Sequence, residues 1–413
     1  MADTCYIGIE LNEKTAQLCV YNKITNDADT IIVRSNSGIA ENPAHMAYSG
    51  EAGKWKFGTE ADYFAANKGF ILFDDILNKC ISGSGFEADG DSYPCAVVLG
   101  ELIKNIVSYA GIKDVASEVC ELVLTVPEVT KSLAIAAREA FSYVGLSEAN
   151  SHVQDFDESF YAYTLCRKRE VFGRDVGLFY FKDDDTVEFR RLHTDKRTKP
   201  MIVTVGDSDY KSLPRDNDDR DNCFEEFAVD NISQNDFSDF FLVGNGFDKR
   251  WAKKSLTVLC ARQRKVFYGN NLFAKGACFS AYERHHRSRL KGTLFLGKDI
   301  VKKNISIEKI QVDGIETNYP IIAAGVNWFE AVGGCEIILK ETDSIVFGTS
   351  RLEDGKRSSC IMSLEGLPKR PGGVTRLKVE AHFENAEKCA VTVSDMGFGE
   401  LYPSSKMSWS DSL

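Results

Sequence analysis

Between residues 96 and 145 the apolar pattern changes period twice, and that alternation restricts the chain more than any other feature. Val98, Leu102, Ile103, Ile106, Val107 and Ala110 recur at steps of three and four, as on one apolar helix face. A continuous β-prone run over 120–126 follows and is stopped by Pro127. The helical period then returns at Leu133, Ala136, Ala137, Ala140, Phe141 and Val144, and Gly145 supplies its stop. Alternating helices and strands predict an α/β layer architecture. Upstream, apolar runs over 5–11 and 17–21 flank the polar stretch 12–15, which predicts a hairpin, with a further short strand over 30–33. Downstream, strands are expected over 176–181, 186–192 and 240–243, the last running into Gly244-Asn245-Gly246, and a helix over 248–260. Residues 207–222, with six aspartates and three basic residues, read as a solvated loop.

Beyond residue 292 helical periodicity disappears. Short β-rich runs over 305–312, 336–340, 344–349, 359–364, 377–383 and 389–394 predict a small β-sandwich, with Trp328 and Phe329 packed beneath it. The polar, basic stretch 284–291 reads as the linker. The expected organisation is therefore 1–283, an α/β domain; 284–291, a linker; and 292–413, a β-sandwich. A chain of 413 residues accommodates this division.

Composition excludes several classes. No apolar run approaches the ~20 residues needed to cross a bilayer, and residues 1–4 do not open like a signal peptide, so a cytoplasmic protein with no membrane partner is expected. The twelve cysteines form no CxxC pair; Cys5, Cys19, Cys120 and Cys260 lie in apolar runs and are expected as buried thiols. Residues 249–303 hold fifteen lysines and arginines against two acids, within a chain of net charge −11. That stretch is expected to face the acidic remainder of the protein, and no nucleic-acid partner is expected, because phosphate would repel the whole. His285 and His286 sit among arginines, so no metal site is expected.

The residues that then stand out are Thr125-Val126-Pro127, the helix ending at Gly145-Leu146, and the run from Val153-Gln154-Asp155 to Ala162-Tyr163. Tyr6 to Leu11 precede a polar turn, Val243-Gly244-Asn245-Gly246 ends a strand, and Gly366-Leu367-Pro368 and Pro371-Gly372-Gly373 precede paired C-terminal strands. In this order they resemble the heat shock protein 70 (DnaK-type chaperone) family of the actin-like ATPase superfamily. The resemblance implies a two-lobed actin-like ATPase (ribonuclease H-like) domain followed by a peptide-binding β-sandwich. It places nucleotide contacts on Asn12, Lys14, Thr15, Thr186, Gly244 and Gly246, and catalytic roles, if activity survives, on Glu10 and Asp155.

The chemistry departs from the family at several points. A phosphate turn needs small residues so that backbone N–H groups can reach phosphate oxygens. Here Asn12 replaces a glycine, Glu13 follows it, and the second turn reads Lys182-Asp183-Asp184-Asp185 with no glycine. One carboxylate ~5 Å from a phosphate charge costs roughly 3 kcal/mol at an effective dielectric near 20. Ile76 stands where the family has its catalytic lysine, for which Lys14 or Lys79 would have to substitute. Only residues 187–241 separate the second turn from Gly244, so the second lobe is expected to be truncated, and residues 401–413 read as a Ser-rich tail with no helical lid. The expected function is polypeptide binding by a chaperone-like protein on a pseudo-ATPase scaffold. The alternative is a genuine ATP-dependent chaperone in which Glu10, Asp155 and the 183–185 carboxylates hold Mg. An assembly protein of the same fold is a third class.

Overall fold

The computed structural model describes residues 5–32, 40–167, 174–312, 315–340, 342–352 and 354–413. Residues 1–4 and Val33, used in the sequence reading, lie outside these. The chain divides into two compact units, Met1–Leu294 and Phe295–Leu413. The division falls later than the sequence suggested. The expected linker 284–291 begins inside a helix that runs to His286 and continues in a turn tied to Glu283, whose carboxylate accepts from the Ser288 hydroxyl and the N–H groups of Arg289 and Leu290.

Within the first unit, β1 (Cys5–Leu11), β2 (Thr15–Asn22) and β3 (Asp27–Ile31) form a meander. Helix α1 (Cys95–Ser108) leads to β4 (Val119–Val126), and α2 (Lys131–Tyr143) to β5 (Ser151–Asp155) and α3 (Phe156–Arg167). The pattern then repeats with a second meander, β6 (Asp175–Phe181), β7 (Thr186–Asp195) and β8 (Met201–Val205). After it come α4 (Asn217–Ile232), β9 (Phe237–Val243), α5 (Lys253–Cys260), β10 (Lys265–Tyr268) and α6 (Leu272–His286).

The two sheets share one strand order. The first runs β5-β4-β1-β2-β3 and the second β10-β9-β6-β7-β8, each with an antiparallel meander on one side and parallel strands on the other. The second also carries Asp209–Ser212 paired with β7. The architecture is thus α/β with mixed sheets, and its central strands are buried on both faces, which accounts for their unbroken apolar runs. No repeat is visible in the sequence; the duplication lies in the topology.

Helices α3 and α6 follow the last strand of their respective sheets and pack on each other, with Phe156 and Phe273 stacked at 3.9 Å. Their approach is set by glycine. A Cβ on Gly276 would lie 2.0 Å from the Ser159 carbonyl oxygen, and one on Gly8 would lie 2.3 Å from the Cys278 nitrogen. Between α1 and β3 in sequence, a three-stranded sheet (Met46–Ser49, Lys54–Phe57, Ile71–Phe73) is backed by helix Thr59–Lys68 and followed by Ile76–Ser82.

Three local expectations are corrected. The aspartate-rich tract 207–222 is not all loop: Asp216 caps α4, and the buried Asp221 accepts the N–H groups of Lys254 and Ser255 at the start of α5. Cys260 is exposed at the end of α5 and Cys5 and Cys120 are half-buried, while Cys19 is buried as expected; all twelve thiols are free. Nor do the basic residues of 249–303 simply face acids. Arg264 donates to the Leu259 and Val258 carbonyls, and Arg289 to those of Cys166 and Asn26.

The second unit is β-rich. β11 (Lys303–Val312), β12 (Ile315–Ile322), β14 (Ser344–Arg351) and β15 (Arg357–Ser363) form one sheet in the order β12-β11-β14-β15. β13 (Val332–Leu339), β16 (Thr375–Phe383), β17 (Cys389–Asp395) and β18 (Ser408–Ser412) form the other in chain order. Trp328 lies in the core that also holds Phe347, Leu377 and Val391. The Ser-rich tail is therefore partly a strand. β12, six of whose residues are exposed, shows no inward alternation for a sequence reading to find. The turn before β16 is pinned by Arg370, which makes a bidentate pair with Asp395 at 2.7 Å and donates to the Pro403 carbonyl. Both side chains are buried, and Arg370 holds the Asp395 carboxyl well below its usual range.

Two outcomes are expected. Gly276→Ala should force α3 and α6 apart and lower the stability of the first unit by about 1–3 kcal/mol, read from denaturant midpoints. Arg370→Ala should cost the second unit about 3–5 kcal/mol, because it leaves a carboxylate buried alone. Since the folded-state Asp395 value is depressed, its stabilisation is present above the ordinary carboxylate range and is lost as pH falls through and below about 4.

Candidate functional site: a cleft between two hairpin turns

The duplicated topology brings the β1–β2 turn and the β6–β7 turn to the same place. They flank a cleft of about 460 Å³ whose walls include Glu10, Asn12, Lys14, Thr15, Tyr180, Asp183, Gly244 and Asn270. Lys14 Nζ and the Asp183 carboxylate pair at 2.9 Å between the turns, both well exposed. Of the residues singled out in the sequence, Glu10, Asn12, Lys14, Thr15 and Gly244 thus meet in one cleft. Thr186, Gly246 and Asp155 are not among its lining residues.

Each turn is closed by its own side chain. Asn12 Oδ1 accepts the N–H groups of Lys14 at 2.9 Å and Thr15 at 2.7 Å, and its Nδ2 donates to the Thr15 hydroxyl. This is an Asx turn, and it occupies the backbone donors that an anion would use. In the second turn Asp184 Oδ1 accepts the Thr186 N–H at 3.1 Å. Asp185 adopts a φ of +63° and turns away, pairing with Arg215 and Arg220. The acidic turn is therefore only partly solvent-facing, and Asp183 and Asp184 are its carboxylates in the cleft.

The glycines of the 244–246 turn answer to Phe181. Gly244 has φ +101°, and a Cβ there would lie 2.1 Å from the Phe181 carbonyl oxygen; one on Gly246 would lie 2.2 Å from the Phe181 ring. Gly244 N–H donates to Asn270 Oδ1 at 3.0 Å. Asp155 Oδ1 accepts the Glu158 N–H at 2.8 Å, capping α3, and the buried carboxylate also acts on the Arg190 charge. Ile76 is fully buried, and Lys79 is not among the lining residues. His285 and His286 are not linker decoration; they close α6, with His285 Nε2 2.8 Å from Glu121 and His286 Nε2 3.0 Å from the Tyr6 hydroxyl.

Glu10 is the most perturbed group of the cleft. It is 3% exposed, and its Oε2 accepts the Ala274 N–H at 3.1 Å, in the first turn of α6. Burial pushes its carboxyl up to about 8, against that hydrogen bond and with help from Glu41. With no cation beside it, Glu10 therefore holds its proton at pH 7. Among the described residues no group of three or more His, Cys, Asp or Glu is arranged to hold a metal ion. Glu41, Tyr180, Lys182, Asn245 and Asn270 complete the cleft. Asn245 lies within the Gly244–Gly246 turn visible in the sequence, but Glu41 and Tyr180 carry no local signal.

Residues 27–298 match the model described as the C-terminal part of a family of unknown function, DUF5716, and the chain belongs to that family. Residues 300–413 match a domain of unknown function, DUF8552. No curated protein matches the chain.

Glu10→Gln should stabilise the protein increasingly as pH rises. Between about 4.5 and 8 the unfolded chain has lost this proton while the folded one keeps it, so wild-type stability falls with pH across that window. Denaturant titrations at pH 6 and 9 should show the variant's advantage growing by on the order of 3 kcal/mol.

Proposed function

We propose that the first unit is an actin-like ATPase scaffold that has lost turnover, and that the protein is a chaperone-like binder of polypeptides through its β-sandwich. The duplicated sheet order supports the scaffold, because two such halves place two hairpin turns on opposite walls of one cleft. The observation that carries the loss of turnover is that both turns are closed from within. Asn12 and Asp184 take up backbone donors, and Glu13, Asp183 and Asp184 stand where phosphate charge would rest. With one Asp155 oxygen taken by a helix cap and Ile76 buried, neither residue matched to the family's water-orienting acid and catalytic lysine lines the cleft.

For the sandwich, strand addition is the recognition mode its geometry favours. β15 is an edge strand, and its Ile361 is 68% exposed.

Isothermal titration with ATP and Mg should give no binding tighter than about 100 µM, about 5.5 kcal/mol, and phosphate release should stay at the level of buffer. Tight binding with release would overturn the reading in favour of a working ATPase. Arg or Lys in place of Ile361 should weaken capture of unfolded polypeptide, measured by fluorescence anisotropy with a labelled extended peptide.

A further inference from the structure

Acids outnumber bases in the cleft. Five carboxyl groups line it, those of Glu10, Glu13, Glu41, Asp183 and Asp184, against Lys14 and Lys182. Both lysines are already engaged, Lys14 with Asp183 and Lys182 with Glu188 at 3.0 Å. Acidic residues alone would be a solvated surface. A second observation comes from an adjoining pocket, which shares Glu41, Gly244, Asn245 and Asn270 with the cleft and reaches Gln17, the cross-strand partner of Glu10. Gln17 is 1% exposed, and its Nε2 donates to the Asn270 carbonyl at 2.7 Å. That bond fixes the amide's orientation, and its Oε1 then has no hydrogen-bond partner among the described residues. A buried acceptor left unmet costs about 1–3 kcal/mol, and it can be relieved only by something that donates.

We infer that the junction of these two pockets binds an organic cation, an alkyl-ammonium or guanidinium group, seated between Glu41 and Gln17 with Glu10 on the strand beside Gln17. The group's N–H bonds supply the donor that Gln17 lacks, and its charge meets Glu41, whose other contact is the Asn245 amide at 2.8 Å. The same chemistry is offered by a free polyamine and by an arginine or lysine side chain of a polypeptide. The inference rests on the reading that the cleft no longer serves a triphosphate.

Glu10 gives the binding a signature. A cation lodged near a neutral buried acid favours its ionised form, so binding should expel the Glu10 proton to buffer. The titratable groups that interact with Glu10 are Glu41, Tyr180 and Cys19, and the Ala274 N–H of α6 donates to it.

The test is calorimetric titration of the full chain at pH 7 with agmatine, and separately with a blocked peptide containing one arginine, in two buffers of different ionisation enthalpy. Saturable binding with close to one proton released is expected. Glu41→Gln should weaken it at least tenfold, and Glu10→Gln should abolish the buffer dependence while leaving binding measurable. Agmatine alone binding points to a free small cation, and the peptide alone to a polypeptide side chain; either supports the inference. Absence of binding by both, or binding unchanged in Glu41→Gln, overturns it. ATP with Mg run in parallel separates the two readings. If ATP binds, the lost-nucleotide reading falls with the inference; if neither ATP nor cation binds, only the inference falls.

Discussion

The backbone contact of helix α6 with β1 and α3 is the constraint on which the site depends. Gly8 and Gly276 let three backbones approach to distances that a single methyl group would forbid. That approach delivers the first turn of α6 to the end of β1, where the Ala274 N–H meets the Glu10 carboxyl. The same packing stacks Phe156 on Phe273 and so joins the two halves of the duplicated fold through one helix pair. The position of Glu10, and with it the floor of the cleft, follows from glycines that touch no ligand.

Two opposing effects act on that carboxyl. A helix N-terminus and a backbone donor favour the charged form, typically by a few tenths of a kcal/mol to about 2 kcal/mol. Removal from water acts the other way and is larger, so Glu10 holds its proton. The Asx turn at Asn12 has an analogous logic, in which a side-chain oxygen stands where an incoming anion's oxygen would stand. A buried acid that holds its proton and a turn whose own side chain takes up its backbone donors therefore stand in one cleft.

Much of the framework was legible in the sequence because it is written in periodicity. The strand over 120–126, its flanking helices and the meander at the N-terminus are buried elements, and burial imposes its period on the residues. Five of the eight suggested site residues meet in the cleft, since a polar turn between two β-prone runs marks where a hairpin ends. What was illegible depends on distance in space. Nothing near Asp155 indicates that its carboxylate closes a helix, nor anything near Gly244 that the missing side chain makes room for Phe181. The duplication escaped notice because only strand order repeats, while the residues do not. The expected linker failed because His285 and His286, polar in sequence, find Glu121 and Tyr6 in the fold.

A turn that carries its own acceptor needs no solute to hold it in shape. In a protein whose pocket is organised by a bound metabolite, the folded population rises and falls with the concentration of that metabolite. Here Asn12 performs the ordering covalently attached, at constant effective concentration. The shape of this turn is accordingly set by the chain's own sequence and not by the concentration of any solute.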